Sequence, residues 1–227
     1  MKKYYPIIEK VSLFRGLTKE DFEFLQNHMV TKVRKYAKSE FIFRAGELVS
    51  QVGIVLSGKT QIIKEDVWGN RTIVANMAVG DIFAEAFSCS KVERLTVSVL
   101  AGESTEVLFI DYNRILSAHS ISESCKDKLI FNMIQVLANK NVMLTQKIEI
   151  LSRRTTREKI LSFLSNIAAK NQSYSFEIPF NRQELADFLC VDRSALSNEL
   201  SKLQQEGILK FHKNHFTLLQ DDNGYSL

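Results

Sequence analysis

Cysteine, proline and tryptophan are scarce in this chain. Its 227 residues include 3 cysteines, 2 prolines and 1 tryptophan. Cys89, Cys125 and Cys190 are odd in number and widely spaced, which argues against a disulfide framework and for reduced thiols in a cytoplasmic setting. Residues 1–40 contain no cysteine, so an N-terminal iron–sulfur cluster is excluded. Cys89 has no histidine near it in sequence to complete a haem axial pair, and His212 and His215, across a tight turn, lack further metal ligands. No apolar run approaches the roughly 20 residues of a membrane span. The opening MKKYYPIIEK has lysines but no apolar stretch after them, so no secretory signal is expected. Internal repeats and low-complexity stretches are absent. So are a nucleophile elbow, a phosphate loop and a paired His/carboxylate motif, which leaves catalysis without support.

Hydrophobic residues make up 45% of the chain, enough for packed cores in one large or two modest domains. The net charge of +4 is mildly basic: compatible with nucleic acid, but weak evidence for it.

The most informative stretch is Asn181–Glu206, NRQELADFLCVDRSALSNELSKLQQE. Asn181 followed by Glu184 has the capping-box spacing, and Leu185, Phe188 and Leu189 recur at helical intervals. Cys190-Val191-Asp192 breaks the pattern, and Asp192 can cap a second helix that buries Leu196, Leu200 and Leu203. The opposite face carries Arg193, Ser194, Ser197, Asn198 and Ser201, short or fork-shaped side chains rather than a solvated Glu/Lys surface. Two readings fit: an αα-hairpin that merely packs, or a helix-turn-helix whose second helix enters the major groove. Gly207 then ends the helix, and Ile208–Phe211 and His215–Leu219 alternate like strands around Lys213-Asn214, so the segment reads as a winged helix. The wing's Lys210, His212, Lys213 and His215 suit phosphate contacts.

Upstream, Thr18 caps a helix with Phe22, Leu25 and Met29 facing inward. From about Val30 to Ile110 short β-rich runs alternate with glycines, with Trp68-Gly69-Asn70 at a hairpin tip; this is a barrel, roll or sandwich. Asp111–Ser120 reads as a short helix. From about Ser122 a long helix carries Ile130, Leu137, Leu144 and Leu151 every seventh residue, interleaved with Ile134, Asn141 and Ile148. Such a stripe suits pairing with a second copy, with Asn141 fixing register; the alternative is packing on its own domain. Arg153–Thr156 marks a break, and Arg157–Ala169 forms a further helix with Ile160, Leu161, Leu164 and Ile167 facing a second core.

A glycine-punctuated β-roll, a long pairing helix and a winged helix, in that order, resemble the cyclic-AMP receptor/fumarate-nitrate reductase regulator (Crp/Fnr) family. The resemblance spans nearly the whole chain and is most specific at Arg182–Ala186, Asp192–Ser194 and Gly80–Ala86. It implies an α+β architecture: a cyclic-nucleotide-binding-like effector-sensing roll over 1–120, a dimerisation helix over 121–152 and a winged helix-turn-helix over 153–227. It also implies a cytoplasmic homodimer that binds palindromic double-stranded DNA, answers to a small-molecule effector and meets RNA polymerase. In the same terms Arg182 and Gln183 match positions that hold the DNA backbone, and Arg193, Ser194 and Asn198 match base-reading positions. Arg193 could bond bidentately to guanine, or to a phosphate alone, and Asn198 could bond to adenine. Cys190 stands where the family has a turn glycine, and Glu199 where it has an apolar residue, so Leu200 is expected to carry the packing.

For the effector site, the resemblance places Glu85 at the ribose-binding position and Leu95, followed by Thr96, where cyclic-AMP binders carry a phosphate-binding arginine. Arg94 is one residue off and, on alternating strand geometry, faces the other way. Without that fork the phosphate loses its bidentate partner. An effector other than cyclic AMP is therefore expected, against a lining of Phe83, Ala84, Glu85, Ala86, Phe87, Leu95, Thr96 and Val97, unless those side chains fill the pocket themselves. The other functional class open to the chain is a ligand-binding regulatory protein whose winged helix docks on a protein partner.

Overall fold

The computed structural model describes residues 2–28, 32–90, 94–119 and 121–219. Packing divides the chain into two units. One holds most of the chain up to Val142; the other runs from Met143 onward, with Asn70–Ile73 joined to it.

The first unit begins with α1 (Tyr5–Ile8) and α2 (Lys19–His28). Thr18 caps α2 by accepting the Asp21 amide at 3.1 Å, while Asp21 accepts the Thr18 amide at 2.9 Å. Phe22 and Leu25 are buried as expected, and Met29 falls outside the described residues. The strands are β1 (Lys32–Tyr36), β2 (Phe41–Phe43), β3 (Val52–Ser57), β4 (Thr60–Glu65), β5 (Arg71–Met77) and β6 (Ile82–Phe83). After these come α3 (Glu85–Ser88), β7 (Ser98–Ala101), β8 (Thr105–Ile110) and α4 (Tyr112–Ser117). The strands form two four-stranded sheets, ordered β1-β8-β3-β6 and β2-β7-β4-β5.

Strand β3 explains why these runs lack a clean polar–apolar alternation. Val52, Ile54 and Leu56 face the helices, while Val55 faces the space between the sheets. In β8, Leu108 and Ile110 take the first direction and Val107 and Phe109 the second. A strand buried on both faces must be apolar throughout. Gly53 is required here, because a Cβ at that position would fall inside the Phe83 ring.

The helix α5 (Glu123–Leu151) is 29 residues long. Its first half packs on the roll through Cys125, Leu129, Met133 and Val136. Asn132, also buried, donates to the Leu13 and Arg15 carbonyls at 2.9 Å each, and Leu129 offers its carbonyl to the Tyr112 hydroxyl at 2.9 Å. Burial pushes the Cys125 thiol up to about 11, so this cysteine is inert at neutral pH.

The second unit adds α6 (Thr156–Asn171), β9 (Ser175–Glu177), α7 (Arg182–Leu189), α8 (Arg193–Gln205), β10 (Leu209–His212) and β11 (His215–Leu218). Helix α6 opens on a capping box between Thr155 and Glu158 and runs two residues past the expected Ala169. The wing has three strands, ordered β10-β11-β9, rather than the two read from the sequence. Arg157 ties α6 to α8 by donating to Glu199 at 3.4 Å and pairing with Glu206. Glu199 thus answers to Arg157, and Leu200 fills the core, fully buried.

Lys147 of α5 is buried, with its ammonium 4.0 Å from the Phe188 ring centroid and bonded to the Ile73 carbonyl. Burial pushes its pKa down from 10.5 to about 8, against a smaller upward pull from Cys190. The unfolded chain therefore holds a proton that the folded chain releases between about pH 8 and 10.5. Stability from this residue is lowest below pH 8 and rises with pH through that window. Urea midpoints should increase from pH 7 to 9.5, and Lys147→Met should flatten that rise while stabilising the protein at pH 7 by on the order of 1 kcal/mol.

Candidate nucleic-acid interface and effector site

The helix-turn-helix is assembled as its sequence dictates at one end and differently at the other. At the start of α7 the Asn181 side chain accepts the Glu184 amide at 3.0 Å, and the Glu184 carboxylate accepts the Asn181 amide at 2.8 Å. Leu185, Ala186 and Leu189 are buried. Cys190 takes the left-handed conformation, φ 52°, that a glycine would adopt more cheaply. Asp192 stands at the N-cap of α8, but its carboxylate accepts no amide there, contrary to the expected cap. Packing holds the helix instead: Leu196, Leu200 and Leu203 are fully buried, and apolar burial outweighs a single cap.

On the outer face of α8, Arg193, Ser194 and Asn198 are exposed and Ser197 is half-buried. Ser201 donates back to the Ser197 carbonyl at 3.0 Å. Gln183 is turned along its own helix, donating to Asp187 at 2.8 Å. Lys213, at φ 54°, occupies the tip of the β10–β11 hairpin, exposed beside Asn214. Arg182 lies over the wing rather than out in solvent. Its guanidinium carbon is 4.9 Å from the Phe211 ring centroid and 6.0 Å from that of Phe216. Burial first, and then the charge of Arg193, hold the Arg182 pKa below its ordinary value.

In the roll, Phe83 is fully buried between Gly53 and Phe43, whose ring meets it edge-on at 6.0 Å. Ala84 adopts φ 65°, a left-handed conformation that costs an alanine about 1 kcal/mol. It starts α3, where Glu85 is buried and Ala86 is exposed. Leu95 is buried, with Arg94 and Thr96 exposed on either side. The alternation is therefore present, but it precedes the strand: β7 begins at Ser98, and Leu95 is held through its own backbone by Gly46 and Glu47. Arg94 donates to the Gly46 carbonyl at 2.8 Å.

One site residue was not legible in the sequence. Lys140 of α5 places its ammonium 2.8 Å from the Glu85 carboxylate and donates to the Ile82 carbonyl. The Glu85 carboxylate is thus already paired with a cation from the long helix, 55 residues along the chain. No local pattern announces a contact of that range.

The apolar stripe of α5 lies largely in the open. Ile130, Ile134, Leu144 and Ile148 are between 43% and 64% exposed, Asn141 is exposed, and Leu137 and Leu151 are half-buried. Among the described residues no helix is long and apolar enough to cross a membrane, and no group of His, Cys, Asp or Glu is placed to hold a metal.

Residues 33–121 match the cyclic nucleotide-binding domain, and residues 158–222 match the Crp-like helix-turn-helix domain. The chain is similar to the transcriptional activator protein FnrA of Stutzerimonas stutzeri, at 24% identity over 86% of this chain and 79% of that protein. It is similar to the cyclic AMP receptor protein of Thermus thermophilus, at 24% identity over 87% and 88%. Among solved structures, the c-di-GMP-responsive regulator CLP of Xanthomonas campestris aligns with a TM-score of 0.70 at 21% identity, over 90% of this chain and 100% of that one. FixK2 from Bradyrhizobium japonicum aligns with a TM-score of 0.62 at 23% identity, over 84% and 93%. These structural likenesses speak to the fold.

Proposed function

This chain belongs to the Crp/Fnr family of DNA-binding transcription regulators, and on that footing we propose that it works as a homodimer, joined along α5, that reads a palindromic operator and answers to an effector other than cyclic AMP. The family's members are regulators, not enzymes. In this proposal residues 1–120 sense the effector, 121–152 pair the protomers and 153–227 bind DNA. The partners are double-stranded DNA, a second copy, and RNA polymerase, since the relative FnrA is named as a transcriptional activator.

The observation that carries the DNA reading is the outer face of α8. Arg193, Ser194 and Asn198 stand exposed together, and among the described residues none of them is spent on an ion pair or hydrogen bond within the fold. Arg182, Gln183 and Lys213 flank that face and would meet the backbone. A duplex contacted through about six phosphates loses about 10³-fold in affinity between roughly 50 and 200 mM salt. Fluorescence anisotropy with duplex DNA should show a fall of that order. Salt-independent or absent binding would instead favour docking on a protein.

Three features support a different effector. Leu95 supplies no guanidinium, Arg94 is engaged by Gly46, and Glu85 is engaged by Lys140. Phe83 is fully buried within the cluster between the sheets. Relatives of this fold are named for cyclic AMP and for c-di-GMP, so the roll accommodates more than one chemistry. Titration calorimetry with cyclic AMP should show no binding up to about 1 mM. Micromolar binding would refute the loss of the arginine.

A further inference from the structure

The two arginines at the openings of α7 and α8 are close enough for the charge of one to be felt by the other. Among the described residues neither has a carboxylate partner. Like charges left together without an acid need something else to hold them in place. For Arg182 that something is the wing. Phe211 of β10 and Phe216 of β11 are register partners, with ring centroids 5.9 Å apart and planes inclined at 24°. Phe216 is fully buried and fixes the pair. Phe211 is half-buried and carries the guanidinium 4.9 Å above its ring. A guanidinium lying on a ring face keeps its N–H edge free, and a long side chain so held loses less freedom when it meets an anion.

We propose that Phe211 is a positioning residue for DNA binding: its ring holds Arg182 ready for a backbone phosphate, so that the wing contributes to affinity through a side chain that touches no nucleotide. This inference rests on the DNA-binding reading and deepens it, because it assigns a role to a residue outside the helix-turn-helix.

The experiment is a double-mutant cycle on a random-sequence duplex of about 30 base pairs at low salt. Phe211→Leu should weaken binding about fivefold in the wild-type background and leave it unchanged in Arg182→Ala. Phe211→Trp, which keeps an aromatic face, should retain wild-type affinity. Both Phe211→Leu and Arg182→Ala should flatten the salt dependence by about one phosphate. A loss from Phe211→Leu of the same size in both backgrounds, as a damaged wing would give, overturns the inference. So does wild-type affinity in Phe211→Leu. Wild-type protein that binds no duplex overturns the DNA reading itself, and the inference falls with it.

Discussion

Ile134→Glu combined with Ile148→Glu should convert a dimer into a monomer and cost more than about 100-fold in affinity for a palindromic operator. Ile134 is 57% exposed and Ile148 64% exposed in the single chain. Neither is a buried core residue, so thermal melting of the protomer should hold. The cost falls on the seam. Burying a side chain of this size is worth about 1.5–3 kcal/mol, and the stripe repeats on both copies. Two carboxylates per protomer would face their own images across a helix pair, where like charges repel. Once the copies separate, the second half-site is no longer held at a high effective concentration, and the avidity of about 10²–10⁴ is lost. Sedimentation velocity reads the mass and anisotropy reads the affinity. A variant that stays dimeric would move the seam away from this face of α5, and a monomeric wild type would remove the seam altogether.

The parts of the fold legible in the sequence are those whose signal is local. The Asn181/Glu184 box spans four residues, and Leu196, Leu200 and Leu203 follow a helical period, so both survive inspection of a short window. Strand β1 illustrates the opposite case. Its sequence KVRKY buries only Tyr36, because its outward residues face solvent along the sheet's edge, and no alternation is left to read. Strand β9 is only three residues long, and its pairing with β11 reaches from Phe176 to Phe216, a partner that no window contains.

The same distinction holds at the candidate sites. Arg193, Ser194 and Asn198 could be picked out by residue type and spacing on one helix. Lys140 could not, since it lies on a different element from Glu85 and carries no motif. Removing Lys140 would leave the Glu85 carboxylate buried without its charge partner, a state far costlier than the pair itself. Phe211 was hidden for another reason. A phenylalanine in a strand reads as core, and what separates Phe211 from Phe216 is its partial exposure and its closer approach to Arg182.

Replacing Arg193 should separate affinity from discrimination. The side chain stands at the first turn of α8, exposed, on the face that a groove-entering helix turns toward base edges. A fork bonded to the O6 and N7 of a guanine is worth about 1–3 kcal/mol of preference over the wrong base. With one fork from each protomer, Arg193→Ala should lower binding to a selected operator by about 10²-fold or more, while binding to random duplex, held by phosphates, falls by only a few-fold. Arg193→Lys should not restore the preference, because an ammonium lacks the planar fork. Selection from a randomised duplex library supplies the operator, and competition between the two duplexes supplies the ratio. If both affinities fall together, Arg193 grips the backbone, and the choice of sequence passes to Ser194 and Asn198 on the same face. Asn198→Ala would then be the variant that loses an adenine, since an amide bonds that base through two atoms as the fork bonds guanine.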